Sequence, residues 1–238
     1  MFFKFQSIST TEMSKALEWF PETPWAFIFR QPIQTIMSHL DKRKGGSGPC
    51  LRSRTRPYPE ARAALEPWMD GADITKASKE AACSGHLNML CMRALKAYEL
   101  HATNSATGQP RGMLVNYESL PGAIPRAFLK MAGVTVDDAW MAAVAVNTQF
   151  YSKSSVLRRP GLANAAWGGD SKDKDAHATP QMRKWADRVM SKSYYQMNNA
   201  SALLMTRVLD WDLQQAIHVH TGVGRADTVT WKLLGSIA

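Results

Sequence analysis

Residues 25–40 read WAFIFRQPIQTIMSHL, and this stretch decides the fold class. Its first five residues are continuously apolar, as expected of a strand that is covered on both faces in a parallel sheet. Pro32 suits the first turn of a helix, where its missing N–H group costs nothing. The apolar residues that follow recur at helical spacing, which predicts one buried face: Ile33, Ile36, Met37 and Leu40. The stretch therefore predicts a buried strand followed by a helix.

The alternation of strands and helices continues on both sides of this stretch. Further strands are expected at residues 1–6 and 112–117. Ser9 and Glu12 fit a capping box at the start of an upstream helix, because each side chain can bond the other residue's free backbone N–H group. The later helical patterns cover residues 79–100, 121–131, 137–150 and 180–205. We therefore predict an α/β protein with a parallel sheet flanked by helices.

Glycine and proline mark the predicted boundaries. Residues 41–76 contain Gly45–Gly48 and several prolines, and we expect them to be irregular. The predicted domain spans residues 1–205, and residues 206–238 form a C-terminal extension to which the pattern assigns no structure.

Composition excludes several classes of protein. The 238 residues are 45% hydrophobic and 21% charged, which suits one globular domain. No apolar run approaches the roughly 20 residues that a membrane span needs, and the apolar start is broken at Lys4, so no signal peptide is expected. A cytoplasmic location is the default expectation. Three cysteines are too few and too scattered to predict a disulfide framework or a zinc site.

The net charge of +9 is concentrated in one stretch. Seven basic residues against two acidic ones give residues 41–62 a net charge of +5. One interpretation is a solvated loop; the other is a surface for a phosphate-rich ligand. Nucleic acid is the less favoured partner, because no aromatic ladder interleaves these arginines.

Arg30 and Ser38 are the candidate binding residues. In open α/β sheets, ligands bind beyond the carboxyl ends of the strands, where helix N-termini present N–H groups to anions. Arg30 directly follows the strand at residues 25–29, and Ser38 lies eight residues later in the next helix. An arginine fork with a hydroxyl group makes a phosphate cradle. The alternative is that Arg30 pairs with a carboxylate and that Ser38 is only a small polar helix residue.

Residues 20–38 resemble the 3′-phosphate-binding segment of the sulfotransferase family. The family pattern is an apolar strand, Arg, any residue, Pro, and then Ser eight residues after the Arg; Arg30 and Ser38 match it, and Gln31 replaces the commoner Asp or Asn. Residues 114–121, LVNYESLP, are similar to the family's strand ending in Tyr-Glu-x-Leu. This resemblance implies that Arg30 and Ser38 hold the 3′-phosphate and that Tyr117 lies near the adenine.

The resemblance also implies a fold and a reaction. The fold would be P-loop NTPase-like, and the donor would be 3′-phosphoadenosine 5′-phosphosulfate, with no metal required. The acceptor would be a hydroxyl or amine group on a small molecule or glycan. A Lys-x-His tripeptide supplies the catalytic groups in the cytosolic members; here Lys4-Phe5-Gln6 stands in its place. Lys4 would stabilise charge on the sulfuryl oxygens, whereas Gln6 cannot act as a base.

The sequence departs from the family at the 5′-phosphosulfate loop. The family places a Ser/Thr- and Gly-rich loop after its first strand, ahead of the Arg…Ser segment. The 29 residues before Arg30 contain no such loop, and Gly45–Gly48 follows no predicted strand. The pattern thus predicts an N-terminally truncated version of the fold. Two hypotheses stay open: a sulfotransferase, and a non-catalytic remnant that binds a nucleotide or a phosphorylated partner.

Overall fold

A computed structural model describes residues 7–40, 49–52, 54–120, 123, 127–147 and 174–203. This part of the chain is mostly helical, with a two-stranded parallel sheet. The strands are β1, Trp25–Phe29, and β2, Gly112–Asn116. The helices are α1 Met13–Trp19, α2 Pro32–Leu40, α3 Pro49–Arg52, α4 Pro59–Leu65, α5 Lys79–His101, α6 Leu129–Met131, α7 Asp138–Asn147 and α8 Pro180–Trp185.

Shorter turns connect these elements. After α8 the helical path continues through a π turn at Ala186–Met190 and then through residues 191–203. Short 3₁₀ turns are formed by Ser7–Glu12, Glu66–Trp68, Ile74–Lys76 and Tyr117–Ser119. None of the helices within the described ranges is long and apolar enough to cross a membrane.

β1 and β2 pair in parallel, with Trp25 opposite Gly112 and Phe29 opposite Asn116. Parallel neighbours need a long crossover connection, and here it contains α2 to α5. Gly112 is required at its position, because a Cβ atom there would overlap the indole ring of Trp25. The Trp25 Nε1–H group donates a hydrogen bond to the His101 carbonyl oxygen at the end of α5 (3.2 Å).

The sheet is covered on both faces, more completely at β2 than at β1. On one face Phe29 and Leu114 pack with Met197, next to buried residues of α5. On the other face Met113 and Val115 pack with further apolar residues, Ala123 and Ala127. Ile28 is half-exposed (50%), so the expectation that residues 25–29 form a strand covered on both faces holds only in part.

The main core lies between α2, α3, α4, α5 and α8. Ile36, Leu65 and Met89 are fully buried in it. Gly85 lets α4 pack closely against α5, because a Cβ atom at this position would lie 2.8 Å from Leu65 Cδ1. His86 is also buried on α5, and this burial, together with the neighbouring His39, holds the pKa of its imidazole below the ordinary value.

A disulfide bond between Cys50 and Cys83 joins α3 to α5. The scattered cysteines did not predict this bridge, and the reason is physical. The two residues are 33 positions apart in sequence, and only the packing of α3 on α5 brings their Cα atoms to 4.8 Å. Cys91, farther along α5, is a free thiol.

Buried Arg111 connects the end of α1 to the start of β2. Its guanidinium group donates hydrogen bonds to the carbonyl oxygens of Leu17 (3.2 Å), Phe20 (2.9 Å) and His101 (3.0 Å). The first two oxygens lie at the C-terminal end of α1, where free carbonyl groups favour a cation. Arg111 thereby positions α1 against the first residues of the sheet.

The prediction of an α/β protein with a parallel sheet flanked by helices is confirmed at this level of detail. The helices predicted at residues 79–100, 137–150 and 180–205 correspond to α5, to α7 and to α8 with its continuation. The irregular structure expected for residues 41–76 is wrong in part, because α3 and α4 lie there. Pro49 and Pro59 each open a helix, a position at which proline favours helix formation instead of breaking it. The possible strand at residues 1–6 and the extension at 206–238 lie outside the described residues.

The predicted capping box does not form. Ser9 and Glu12 lie within the 3₁₀ turn, and α1 begins only at Met13 with no side-chain cap. In that turn the Thr11 hydroxyl donates to the Ile8 carbonyl oxygen (2.8 Å). A side chain that bonds the backbone locally favours such a turn over a regular helix start.

Gly112→Ala should destabilise the protein by about 1–3 kcal/mol, because the new methyl group overpacks against the Trp25 ring. The free energy of unfolding in urea measures the effect. The double variant Gly112→Ala/Trp25→Phe removes the indole atoms and should recover part of the loss. Equal destabilisation with and without Trp25→Phe would contradict the proposed contact.

Candidate functional site

The carboxyl ends of β1 and β2 lie side by side because the two strands run parallel and in register. The residues that follow them, Arg30 and Tyr117, are in contact. The Arg30 Cζ atom lies 4.5 Å from the centroid of the Tyr117 ring, which is a cation–π geometry. The structure thus brings together two residues that the sequence pattern selected separately. We call Arg30, Gln31, Gln34, Tyr117 and Glu118 the carboxyl-edge cluster.

Gln34 on α2 is the centre of this cluster. Its side chain is almost completely buried (1% exposed). Its Oε1 atom accepts a hydrogen bond from Arg30 Nε (2.6 Å), and its Nε2 group donates to Gln31 Oε1 (3.3 Å) and to Asp175 Oδ2 (3.2 Å). Gln34 therefore restrains the Arg30 guanidinium group at its Nε edge, and the Tyr117 ring covers one face of it.

Gln31 connects the start of α2 to the turn after β2. Its Nε2 group donates a hydrogen bond to Glu118 Oε1 (2.9 Å). The turn itself is held by Asn116, whose Oδ1 atom accepts from the Glu118 backbone N–H (2.9 Å) and whose Nδ2 group donates to Asn198 Oδ1 (2.7 Å). The position of Tyr117 therefore depends on contacts with residues from both ends of the described chain.

Ser38 lies one helical turn after Gln34, on the same side of α2. Its hydroxyl group donates a hydrogen bond to the Gln34 carbonyl oxygen (2.9 Å) and is half-buried. Such a bond to the carbonyl of the preceding turn is common for serine in helices. Ser38 is thus linked to the cluster through Gln34, the residue that also contacts Arg30.

The cluster combines positive and negative groups. Arg30 lies beside the N-terminus of α2, where backbone N–H groups add partial positive charge. The carboxylates of Glu118 and Asp175 accept hydrogen bonds from the amides of Gln31 and Gln34. The guanidinium group of Arg30 is the group here that can bind an anionic oxygen, whereas the carboxylates of Glu118 and Asp175 accept hydrogen bonds from uncharged amide groups and keep their charge.

Some predicted residues cannot be placed against the cluster. Lys4 and Gln6 lie outside the described residues, as do residues 41–48 of the basic stretch. Arg54 and Arg56, from the same stretch, are exposed.

The central role of Gln34 was not predicted from the sequence. Its place as the third residue of the helix that follows Arg30 was a signal that could have been used, because a Glu or Gln side chain there commonly reaches back to the residues before the helix. Asp175 carried no such signal: it is 141 residues from Gln34, and only the packing of the 174–177 turn against α2 brings it near.

Comparison with protein-family models, with curated proteins and with solved structures gives no match for this chain. The described part of the chain is a mostly helical, loosely α/β protein with an arginine–tyrosine contact at the carboxyl edge of a two-stranded parallel sheet.

Gln34→Leu should lower the free energy of unfolding by about 1–3 kcal/mol, because it removes the amide that pairs with Arg30 and Asp175. Gln31→Leu is the comparison variant: it removes the exposed hydrogen bond to Glu118 and the long one from Gln34 Nε2 (3.3 Å), but Gln34 keeps Arg30 and Asp175 as partners. This substitution should cost less than about 1 kcal/mol. Urea unfolding of both variants makes the comparison. Equal losses in the two variants would contradict the central role of Gln34.

Proposed function

We propose that this chain is a sulfotransferase-like protein with a P-loop NTPase-like fold, which binds 3′-phosphoadenosine 5′-phosphosulfate at the carboxyl-edge cluster. The observation that carries this proposal is the contact between Arg30 and Tyr117 at the adjacent ends of two parallel strands. These are the two places at which the sequence resembles the 3′-phosphate and adenine segments of the sulfotransferase family.

The geometry of Arg30 suits a phosphate group. A guanidinium fork binds phosphate best when its plane is fixed before the ligand arrives, because less side-chain entropy is then lost. Gln34 and Tyr117 restrain that plane. The N-terminus of α2 adds backbone N–H groups beside it. Ser38 lies one turn beyond Gln34, and in this proposal its hydroxyl group turns from the Gln34 carbonyl oxygen to donate to the phosphate.

The reaction in this proposal is transfer of a sulfuryl group. The sulfur–oxygen bond to the donor's 5′-phosphate breaks, a bond forms from sulfur to the acceptor oxygen or nitrogen, and the acceptor proton leaves. Positive charge on the transferring group lowers the barrier, and Lys4 is the residue proposed to supply it. The acceptor is a hydroxyl or amine group of a small molecule or glycan.

The second candidate function is binding without turnover, by a remnant of the same fold. The presence of Gln6 in the place of the family's histidine favours it, since an amide cannot remove the acceptor proton. Its ligand is a nucleotide or a phosphorylated partner. Both candidates predict the same phosphate site at Arg30, and they differ in whether sulfuryl transfer takes place.

Calorimetric titration with 3′-phosphoadenosine 5′-phosphate tests the site. Arg30→Ala should weaken binding about ten- to a hundredfold, the loss of one charge-assisted phosphate contact. Arg188→Ala is the matched control, because Arg188 also stacks on an aromatic ring, that of Trp68 (5.4 Å), away from the cluster. Adenosine 5′-phosphate, which lacks the 3′-phosphate, should bind wild type and Arg30→Ala with similar affinity.

Two results would overturn the proposed site: no binding by folded wild-type protein, or equal affinity of wild type and Arg30→Ala for the bisphosphate. Incubation with radiolabelled 3′-phosphoadenosine 5′-phosphosulfate and a panel of hydroxyl and amine acceptors then separates the two functions. Label transfer supports the enzyme, and binding without transfer supports the remnant.

A further inference from the structure

Three side chains that bind transition metals converge outside the carboxyl-edge cluster. The Sγ atoms of Cys50 and Cys83 and a ring nitrogen of His39 lie within 4.8 Å of one another. They come from three different helices: His39 from α2, Cys50 from α3 and Cys83 from α5. Both cysteines are fully buried, and His39 is half-buried.

Two thiolates and an imidazole form a ligand set that suits Zn²⁺. Tetrahedral zinc with Zn–S bonds of about 2.3 Å and Zn–N bonds of about 2.0 Å places its ligand atoms roughly 3.5–3.8 Å apart. The His39 nitrogen lies within 4.8 Å of both sulfur atoms. The two sulfur atoms are bonded to each other, so they have to move apart to roughly 3.7 Å after reduction before both can bind one zinc ion. Soft thiolate ligands favour zinc over magnesium or calcium.

In the structure the two sulfur atoms are joined to each other, so the same atoms cannot hold a metal at the same time. We propose that His39, Cys50 and Cys83 form a redox-controlled zinc site, which binds the ion when the Cys50–Cys83 disulfide is reduced and releases it when the disulfide forms. A water molecule completes the coordination as the fourth ligand.

Each step of this exchange balances. A dithiol reductant gives two electrons and two protons to the sulfur–sulfur bond and becomes a disulfide itself, which leaves Cys50 and Cys83 as thiols. Zn²⁺ then displaces the two thiol protons and forms two Zn–S bonds and one Zn–N bond to His39. In reverse, hydrogen peroxide takes two electrons from the thiolates and becomes water with two protons from the solvent, while the disulfide forms and Zn²⁺ leaves.

The fold favours this exchange because both states cross-link the same elements. The disulfide closes a loop between residues 33 positions apart, which reduces the entropy of the unfolded chain. Zinc bound to the same sulfurs closes the same loop, so α3 stays attached to α5. Cys83 lies in the second turn of α5. Ser78 caps the start of this helix by accepting a hydrogen bond from Ala81 N–H (3.1 Å), an interaction that does not depend on the disulfide.

Metal titration of the whole chain in its two redox states tests the proposal. The protein is reduced with a phosphine, separated from it, and titrated with Co²⁺ and with Zn²⁺ in competition with a chromogenic chelator. We expect one equivalent of Zn²⁺ and thiolate-to-cobalt charge-transfer absorption in the reduced protein, and neither in the disulfide form. Addition of hydrogen peroxide to the zinc-loaded protein should release the ion.

Variants identify the ligands. Cys50→Ser and Cys83→Ser should each weaken zinc binding more than about a hundredfold. Mutation of a residue that only hydrogen-bonds a metal ligand already lowers metal affinity about ten- to a hundredfold, and loss of a ligand itself should cost more. His39→Gln should weaken it at least about tenfold. Cys91→Ser is the matched control: Cys91 lies on the same helix as Cys83, and burial raises the pKa of its thiol to about 12, so it stays protonated and should leave zinc affinity unchanged.

Three results would overturn the inference: no Co²⁺ or Zn²⁺ uptake by the reduced protein, equal uptake by the disulfide form, or unchanged affinity in His39→Gln. Circular dichroism in the near and far ultraviolet follows folding during each titration. If reduction unfolds the chain, zinc should restore the folded spectrum, and failure to restore it also contradicts the site.

Discussion

The parallel pairing of β1 with β2 is the constraint on which the rest of the structure depends. It joins segments that are far apart in sequence, so that Gln31 and Glu118, 87 residues apart, share a hydrogen bond. Because the strands run in the same direction, their carboxyl ends meet at one edge, and the residues that follow them have to be neighbours. The contact between Arg30 and Tyr117 is a direct result of this pairing.

Close approach between elements makes the pairing possible. Gly112 lets the indole of Trp25 lie over the first residue of β2, and Gly85 lets Leu65 of α4 pack against the backbone of α5. α5 is the common support: it buries residues in the main core and also covers the face of the sheet that contains Phe29 and Leu114. α2 contributes to both proposed sites. Gln34, in the first half of this helix, belongs to the carboxyl-edge cluster and contacts Arg30, and His39, near the end of the helix, lies beside the Cys50–Cys83 disulfide.

Much of the local structure was predictable from the sequence, for reasons that are local themselves. The prediction of β1 followed from the apolar run at residues 25–29, and that of α2 from Pro32 and the spacing of Ile36 and Leu40. A helix buries one face whenever its apolar residues recur at the helical period, and this period is visible in the sequence. Gly133 follows α6 with a φ of +70°, the left-handed conformation that glycine commonly adopts after the end of a helix. The prolines of residues 41–76 led to a wrong prediction of irregular structure at α3 and α4. Proline favours a first helical turn and opposes a helix interior, and the sequence pattern does not separate these cases.

By itself the sequence determined the class of elements, their order and two of the residues that meet at the carboxyl edge, Arg30 and Tyr117. The element types depend on the periodicity of apolar residues, and the two site residues are polar residues that directly follow apolar strands. Both are local patterns, so they can be read from neighbouring positions in the sequence. Only the tertiary structure decided that Gln34 bonds both Arg30 and Asp175, and that Cys50 and Cys83 form a disulfide beside His39. Such contacts join elements separated by tens of residues, and their geometry is set by how the helices pack together, which no local pattern specifies.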